Sequence, residues 1–515
     1  MSPPVASVRL SSSVGLKKTS SVTADAAPTT IWATREYVPS AGSGTSQEGA
    51  TDSVPSGPTP SDSSGASVSS LDVIFKAYDV RGVVPDEFDE DVAWQIGWAF
   101  ADFTAAGRMV VARDMRTSSE PLARAFIEGA TTRGDDVIDL GLASTDMLYF
   151  ASGRYEAPGA MFTASHNPAE FNGIKFCLAE AAPVGQDTGL GEIKATVERG
   201  EFPGALSKGV RSRGDVLKAY AEHVLAFIDP STLRPLKVGI DTANGMGGLV
   251  VPEVFGQLPF EISPLYFDLD GTFPNHPADP IQPENLRDLQ ALVRTEGCDV
   301  GLAFDGDADR VFLIDDRAEP VSGSTTTALV AKGLLARAPG EKVIHNLICS
   351  RAVAEVVRES RGEPIRSRVG HSFIKQLMAE TGAIFGGEHS GHYYFRDNYR
   401  ADSGIIAALV VLDQMCQSGV ALSELRRPLE RYVSSGEINF KVSDAHGAMH
   451  DVARRYDGTG AEVDWVDGLT VSYPDWWFNL RPSNTEPLLR LNLEADDQDT
   501  LDAHLAELVE VLQGR

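Results

Sequence analysis

The residues best able to do chemistry in this chain fall in a few short loops. Asp305-Gly-Asp307-Ala-Asp309-Arg310 sets three carboxylates at alternate positions. In a tight loop alternate residues can point the same way, so the three converge on one hard cation, Mg2+ or Ca2+. An EF-hand is excluded: its sixth position holds Arg310, its twelfth Asp316, and apolar VFLI fills the ligand positions between. Thr163-Ala-Ser165-His166-Asn167-Pro168 puts a serine beside a histidine. Two chemistries compete there, a serine hydrolase and a serine that carries a phosphoryl group. A nucleophile elbow needs glycines flanking x-Ser-x, where this chain has Thr163 and Asn167. Adjacent side chains also usually diverge, which makes His166 a poor base for Ser165. A phosphate-carrying serine needs a cation and positive side chains, and the acidic loop offers a place for the cation. A plain turn closed by Asn-Pro is the alternative.

Two further loops complete the set. In Gly387-Glu388-His389-Ser390-Gly391-His392, alternating Glu388, Ser390 and His392 can project to one side and bond neighbouring hydroxyls of a sugar. In Arg481-Pro-Ser483-Asn484-Thr485-Glu-Pro487, an arginine, two hydroxyls, an amide and exposed N–H groups make a phosphate cradle. Structural turns are the competing readings for both.

The elements that must hold these loops alternate between strand and helix from Leu71 onward. DEDVAWQIGWAFADFTAAG (89–107) has helical spacing and ends on Gly107, RMVVARD reads as a strand, and SSEPLARAFIEGATTRG starts a helix with Ser119 as N-cap and Pro121 in the first turn. DVIDLG is the next strand. The rhythm recurs in LKVGIDTANGMGG (236–248), VGLAFDGDADR (300–310) and VIHNLICSRAVAEVVRES (343–360), an architectural echo with no strict sequence period. Near the C-terminus, WWFNL and LLRLNLEA flank the last loop. A helix follows with Leu501, Leu505, Leu508 and Leu512 on one face and Gly514 at its end, giving a small α+β unit.

At 515 residues the chain has room for several domains, about three or four as a prior. Its charge of −28 argues against nucleic-acid binding, which needs a basic footprint. No apolar run reaches the roughly 18 residues of a membrane span. The four cysteines are scattered without a C-x-x-C pair, which fits a reducing compartment, and a cytoplasmic location is expected. Residues 1–70, rich in Ser, Thr, Pro, Gly and Ala, read as a disordered extension. The first 23 carry Arg9, Lys17 and Lys18 with no acid, the charge pattern of a transit peptide, but the extension reading is preferred.

FKAYDVRG (75–82), TASHNP, DGDADR, GEHSGH and RPSNTEP stand in the order found in α-D-phosphohexomutases, and the chain from Leu71 onward resembles the phosphomannomutase/phosphoglucomutase group of that superfamily. The resemblance implies three similar α/β domains with mixed sheets plus a smaller C-terminal α+β domain, around a central cleft. The boundaries expected are 71–212 (phosphoserine loop), 213–319 (metal loop), 320–431 (sugar loop) and 432–515 (phosphate loop). By the same resemblance Ser165 is a phosphoserine. Mg2+ is held by it with Asp305, Asp307 and Asp309, and Glu388 and Ser390 meet sugar hydroxyls. Arg481, Ser483, Asn484 and Thr485 grip the substrate phosphate. Tyr78, Arg81, His166, Lys175, Arg310 and His371 line the cleft. Lys175, Arg81 and His392 stay unranked as proton-relay groups. NLICSR has Ile348 where many relatives have lysine, which bears on anion contacts or sugar fit.

The implied activity is a phosphomannomutase, alone or dual with phosphoglucomutase, converting hexose 6-phosphate and hexose 1-phosphate through a hexose 1,6-bisphosphate. The alternatives are a phosphoglucosamine mutase and an inactive sugar-phosphate-binding regulatory protein. The partners expected are small sugar phosphates, with no nucleic acid and no membrane, in a monomer or homodimer.

Overall fold

The computed structural model describes residues 70–483 and 488–513, together with a two-residue strand at 35–36. Four mixed or antiparallel sheets follow one another along the chain. The first has strand order Val80–Val83, Phe171–Cys177, Gly159–Phe162, Arg108–Arg113, Asp136–Leu142, Arg211–Arg213. The second runs Pro320–Val321, Val311–Ile314, Val300–Phe304, Lys237–Asp241, Glu261–Leu265, and the third Glu363–Ser367, Lys342–Asn346, Phe385–Gly387, Tyr393–Phe395. The fourth is an antiparallel meander of Val433–Phe440, Leu489–Ala495, Trp476–Pro482, Leu469–Ser472 and Glu462–Asp464. Arg35–Glu36 pairs parallel with Ile438 and Asn439 at its edge, and the rest of the segment read as disordered lies outside the described residues.

One device recurs. In each of the first three sheets a parallel strand pairs antiparallel with the next strand of the chain, and a site loop joins them. Gly159–Phe162 and Phe171–Cys177 flank the Ser165 loop, Val300–Phe304 and Val311–Ile314 the acidic loop, and Phe385–Gly387 and Tyr393–Phe395 the Glu388 loop. The fourth site loop joins Trp476–Pro482 to Leu489–Ala495, also antiparallel. Hairpin closure presents four loops without crossover connections.

Burial divides the molecule differently from the sheets. A single apolar cluster runs from Val110 to Leu429, joining Met147, Leu302, Leu329 and Ile405 across the first three domains. The fourth has a core of its own, built on Leu469, Phe478, Leu491 and Leu508.

Local readings need two corrections. The first long helix is Glu90–Thr104, capped by Asp89, which accepts from Val92 N, and it stops at Ala105 (φ 44°) before Gly107 is reached. The second is Ser119–Arg133 with Ser118 at the cap position. Ser119 lies inside because its Oγ donates 2.5 Å to buried Asp114. The C-terminal helix is Gln498–Gln513, with Leu501, Leu508 and Leu512 buried and Leu505 packed at the edge; Gly514 lies outside the described residues. Among the described residues no single helix is long and apolar enough to cross a membrane.

Candidate active site

Ser165 sits just beyond the strand Gly159–Phe162, in a left-handed backbone conformation (φ 49°) that an ordinary side chain enters only under constraint. The constraint is Arg116. Its buried guanidinium donates to the carbonyls of Ser165 (2.9 Å), Asn167 (2.6 Å), Pro168 (2.6 Å) and Phe171 (3.0 Å), and Asp114 pairs with its Nε at 3.2 Å. Thr163 Oγ1 accepts from Ser165 N at 2.9 Å, and Arg81 donates to the Asn167 side chain and to Asp79. Gly306 is obligatory beside this loop, since a Cβ there would lie 2.4 Å from the Ser165 carbonyl oxygen.

The Ser165 hydroxyl donates to Asp305 Oδ2 at 2.7 Å, and Arg310 Nη2 reaches it at 3.4 Å. His166 does not diverge as expected: its Nδ1 is 3.3 Å from Ser165 Oγ, because the strained turn folds the two side chains to one side. Nδ1 also lies 2.6 Å from Arg310 Nη2. Arginine can only donate, so Nδ1 is an acceptor and its lone pair is engaged. Burial and then Arg310 hold His166 well below the ordinary histidine range, so the ring is neutral. The Ser165 hydroxyl donates its hydrogen bond to Asp305 and not to His166, and the hydrolase arrangement fails on that ground.

In the acidic loop, Asp305, Asp307 and Asp309 are all buried, with one oxygen of each inside a sphere of mutual separations no greater than 4.8 Å. Lys175 Nζ donates to Asp307 Oδ2 (2.7 Å) and Asp309 Oδ2 (2.6 Å), and Thr145 Oγ1 donates to Asp307 at 2.5 Å. Among the described residues, Asp307 Oδ1 and Asp309 Oδ1 are buried without a hydrogen-bond partner. Burial pushes Asp305 up to about 8 against the pull of Arg310. Lys175 overcomes the same burial at Asp307 and holds its carboxyl below the usual range, while Lys175 is itself held well above its own range chiefly by those two aspartates. The set is short of positive charge and presents free oxygens at one point, which fits a hard divalent cation such as Mg2+.

A cavity of about 860 Å³ opens in front of Ser165. Tyr78, Arg81, His166, Lys175, Asp309, Arg310, His371 and His392 are all on its wall with Arg490, so one site gathers residues from all four domains. His371 begins the helix His371–Thr381, its ring T-shaped against Tyr78 with centroids 5.1 Å apart, and burial holds it down to about 3, neutral. Burial likewise raises Tyr78. Glu388 is buried and accepts from Gly370 N (3.1 Å), Asn346 Nδ2 (3.2 Å) and Tyr394 OH (2.9 Å), while Ser390 Oγ meets His392 Nδ1 at 3.1 Å. Half-buried Ile348 follows the strand that ends at Asn346. Arg481 is buried at the end of Trp476–Pro482, and Ser483 N closes the hairpin on Leu488 O at 2.8 Å; Asn484 and Thr485 lie outside the described residues.

Sequence reasoning missed Arg116, Thr145, Asp402 and Arg490. Asp402 and Arg490 stand on the cavity wall, and Thr145 and Arg116 brace its loops. Arg490 was legible in outline, because in LLRLNL it alternates with buried leucines and must face the other way. Arg116 gave no signal: one more arginine after a strand says nothing of four distant carbonyls.

Comparison with known proteins agrees with this geometry. Four family models match in order: phosphoglucomutase/phosphomannomutase α/β/α domains I (72–204), II (218–319) and III (322–432), and the C-terminal domain (437–511). A protein named "Phosphohexose mutases" from Xanthomonas campestris pv. campestris is 40% identical over 444 residues, covering 85% of this chain and 99% of its own. An Escherichia coli "Phosphomannomutase" is 38% identical over 450 residues, with 85% and 99% covered. The crystal structure of a phosphoglucomutase/phosphomannomutase family protein from Burkholderia thailandensis superposes with a TM-score of 0.79 at 33% identity, covering 86% of this chain and 97% of that one. The chain belongs to the phosphoglucomutase/phosphomannomutase family of the α-D-phosphohexomutase superfamily, and it is an enzyme of the phosphohexomutase type.

Proposed function

We propose that this enzyme is a Mg2+-dependent phosphomannomutase that also accepts glucose phosphates, with Ser165 as its phosphate carrier. The observation that carries the reading is the Ser165 hydroxyl, held 2.7 Å from Asp305 beside Arg310 on the wall of a cavity rich in cations. A Mg2+ held by Asp305, Asp307 and Asp309 supplies charge neutralisation for a phosphoryl group on Ser165. The remaining work falls to the chain. Arg310 and Lys175 stabilise the transferring group, which is the main task in phosphoryl transfer. The bond from Ser165 Oγ to phosphorus breaks as one forms from phosphorus to a sugar hydroxyl, whose proton passes to a group on the cavity wall. The resulting hexose 1,6-bisphosphate turns over in the cleft and returns its other phosphate to Ser165. Glu388 and Ser390 hold the sugar, and the Arg481 loop holds whichever phosphate is not reacting.

The name of the Escherichia coli relative, "Phosphomannomutase", favours mannose phosphates, while that of the Xanthomonas relative names hexoses only. Coupled assays with mannose, glucose and glucosamine 1-phosphates, with and without glucose 1,6-bisphosphate, test the reading. Turnover of mannose 1-phosphate at or above the others is expected. Fast turnover of glucosamine 1-phosphate alone overturns it.

A further inference from the structure

The phosphate loop rests on a charge arrangement that its own sequence does not reveal. Arg481 and Arg490 are directly opposite each other on adjacent antiparallel strands. Like charges in that position repel, so a sheet built only for stability would not keep them. Between them stands Glu437, on the neighbouring strand and the same face, with Oε2 3.4 Å from Arg481 Nη2 and Oε1 3.1 Å from Arg490 Nη1. Each carboxylate oxygen therefore meets a different guanidinium. Glu437 reaches this place through a β-bulge: the register with Leu489–Ala495 shifts between Ser434 and Glu437, and Gly436 takes φ 67°. Bulges of this kind re-aim a side chain beside a site.

Arg481 is not saturated: it is buried, and among the described residues its Nε has no hydrogen-bond partner. Burial lowers Arg481 from the ordinary arginine value, Arg490 adds to the lowering, and Glu437 offsets part of it. Arg490 lines the cavity that holds Ser165.

We propose that Glu437 is a resident competitor for the phosphate grip, occupying Arg481 and Arg490 with its two oxygens so that the grip binds a phosphate dianion loosely enough to exchange it. The inference rests on the proposed function in one respect: a bisphosphate that turns over must be released at one end and caught at the other by the same loop. Two arginines with no counter-anion hold a dianion tightly and release it slowly. With Glu437 between them they are preorganised, yet the bound phosphate feels a carboxylate beside it.

The test is calorimetric titration of the full-length, Mg2+-loaded protein with inorganic phosphate, alongside steady-state kinetics. Glu437→Gln is expected to bind phosphate about tenfold more tightly and to lower both KM and kcat as release slows. Arg490→Gln is expected to bind it about tenfold more weakly. Unchanged or weaker phosphate binding by a folded Glu437→Gln protein overturns the proposal. Should that variant fail to fold, Glu437→Gln added to Arg490→Gln gives the answer in a less repulsive setting: tighter binding than Arg490→Gln alone supports the proposal, and equal or weaker binding overturns it. No sugar enters the titration, so a failed substrate panel leaves its outcome unaffected.

Discussion

Ser165 shows how little a side chain's identity says before its neighbours are known. Its hydroxyl lies within reach of a histidine nitrogen, a carboxylate and a guanidinium, and the guanidinium has already engaged the histidine. Ser165→Ala is expected to cut turnover at least 10³-fold and to leave the melting temperature within a few degrees of wild type, read by coupled assay and thermal denaturation; near-normal turnover would sink the carrier assignment. A second residue speaks to pH. Asp146 is buried, accepts from Ser144, Tyr220 and Ser403, and burial pushes it up to about 7. A carboxyl raised on folding stabilises fully below its unfolded value near 4, and that contribution is lost as pH rises through about 7. The slope is at most about 1.4 kcal/mol per pH unit. Asp146→Asn should flatten the decline of stability between about pH 4 and 7, measured by urea unfolding at several pH values. An unchanged slope would show that Asp146 does not titrate there.

At the scale of elements, the four site loops were legible and their bracing was not. TASHNP, DGDADR and GEHSGH each carry a local composition that announces a loop, and each proves to be the turn of a hairpin, while RPSNTEP falls between two strands that pair antiparallel. The convergence of three aspartates could be read from their alternation. What holds the loops is non-local: Arg116 reaches carbonyls about 50 residues away, and Thr145 reaches Asp307 in another domain. No periodicity or motif encodes such contacts. The misplaced cap at Ser119 has the same origin, because tertiary bonding to Asp114 overrode a local preference. Arg116→Lys tests the brace. A lysine ammonium cannot serve four carbonyls in a fixed fork, so the variant is expected to lose about 10²-fold in turnover and about 2–4 kcal/mol of stability. Chemical denaturation and the coupled assay check it, and wild-type behaviour in both would remove Arg116 from the account.

The whole molecule has fewer mechanical parts than domains. One continuous cluster joins the first three, beside a second core inside the first domain, while the fourth shares none of it and packs around its own. Ser165 and the acidic loop therefore belong to one body, and Arg481 to another. Links between them are polar: Arg351 N bonds Glu494 at 3.0 Å, its guanidinium the carbonyls of Tyr473 and Pro474, and Val369 N bonds Asp467 at 3.0 Å. Such contacts break and remake more readily than a shared core, which suits the opening that the proposed bisphosphate turnover calls for. Scanning calorimetry of the full-length protein is expected to show two overlapping transitions that draw together when glucose 1,6-bisphosphate is added. A single transition indifferent to that ligand would contradict the two-body picture.

The hairpin placement of the loops also bears on how the enzyme can be re-engineered. A hairpin leaves and re-enters its sheet on neighbouring strands, so its ends stay about 5 Å apart whatever lies between them. A combinatorial library confined to residues 388–391 would vary the proposed sugar contacts on a fixed frame, with His392 and the two hairpins that carry Ser165 and the three aspartates left untouched. Selection on such a library could retrain sugar preference without rebuilding the catalyst.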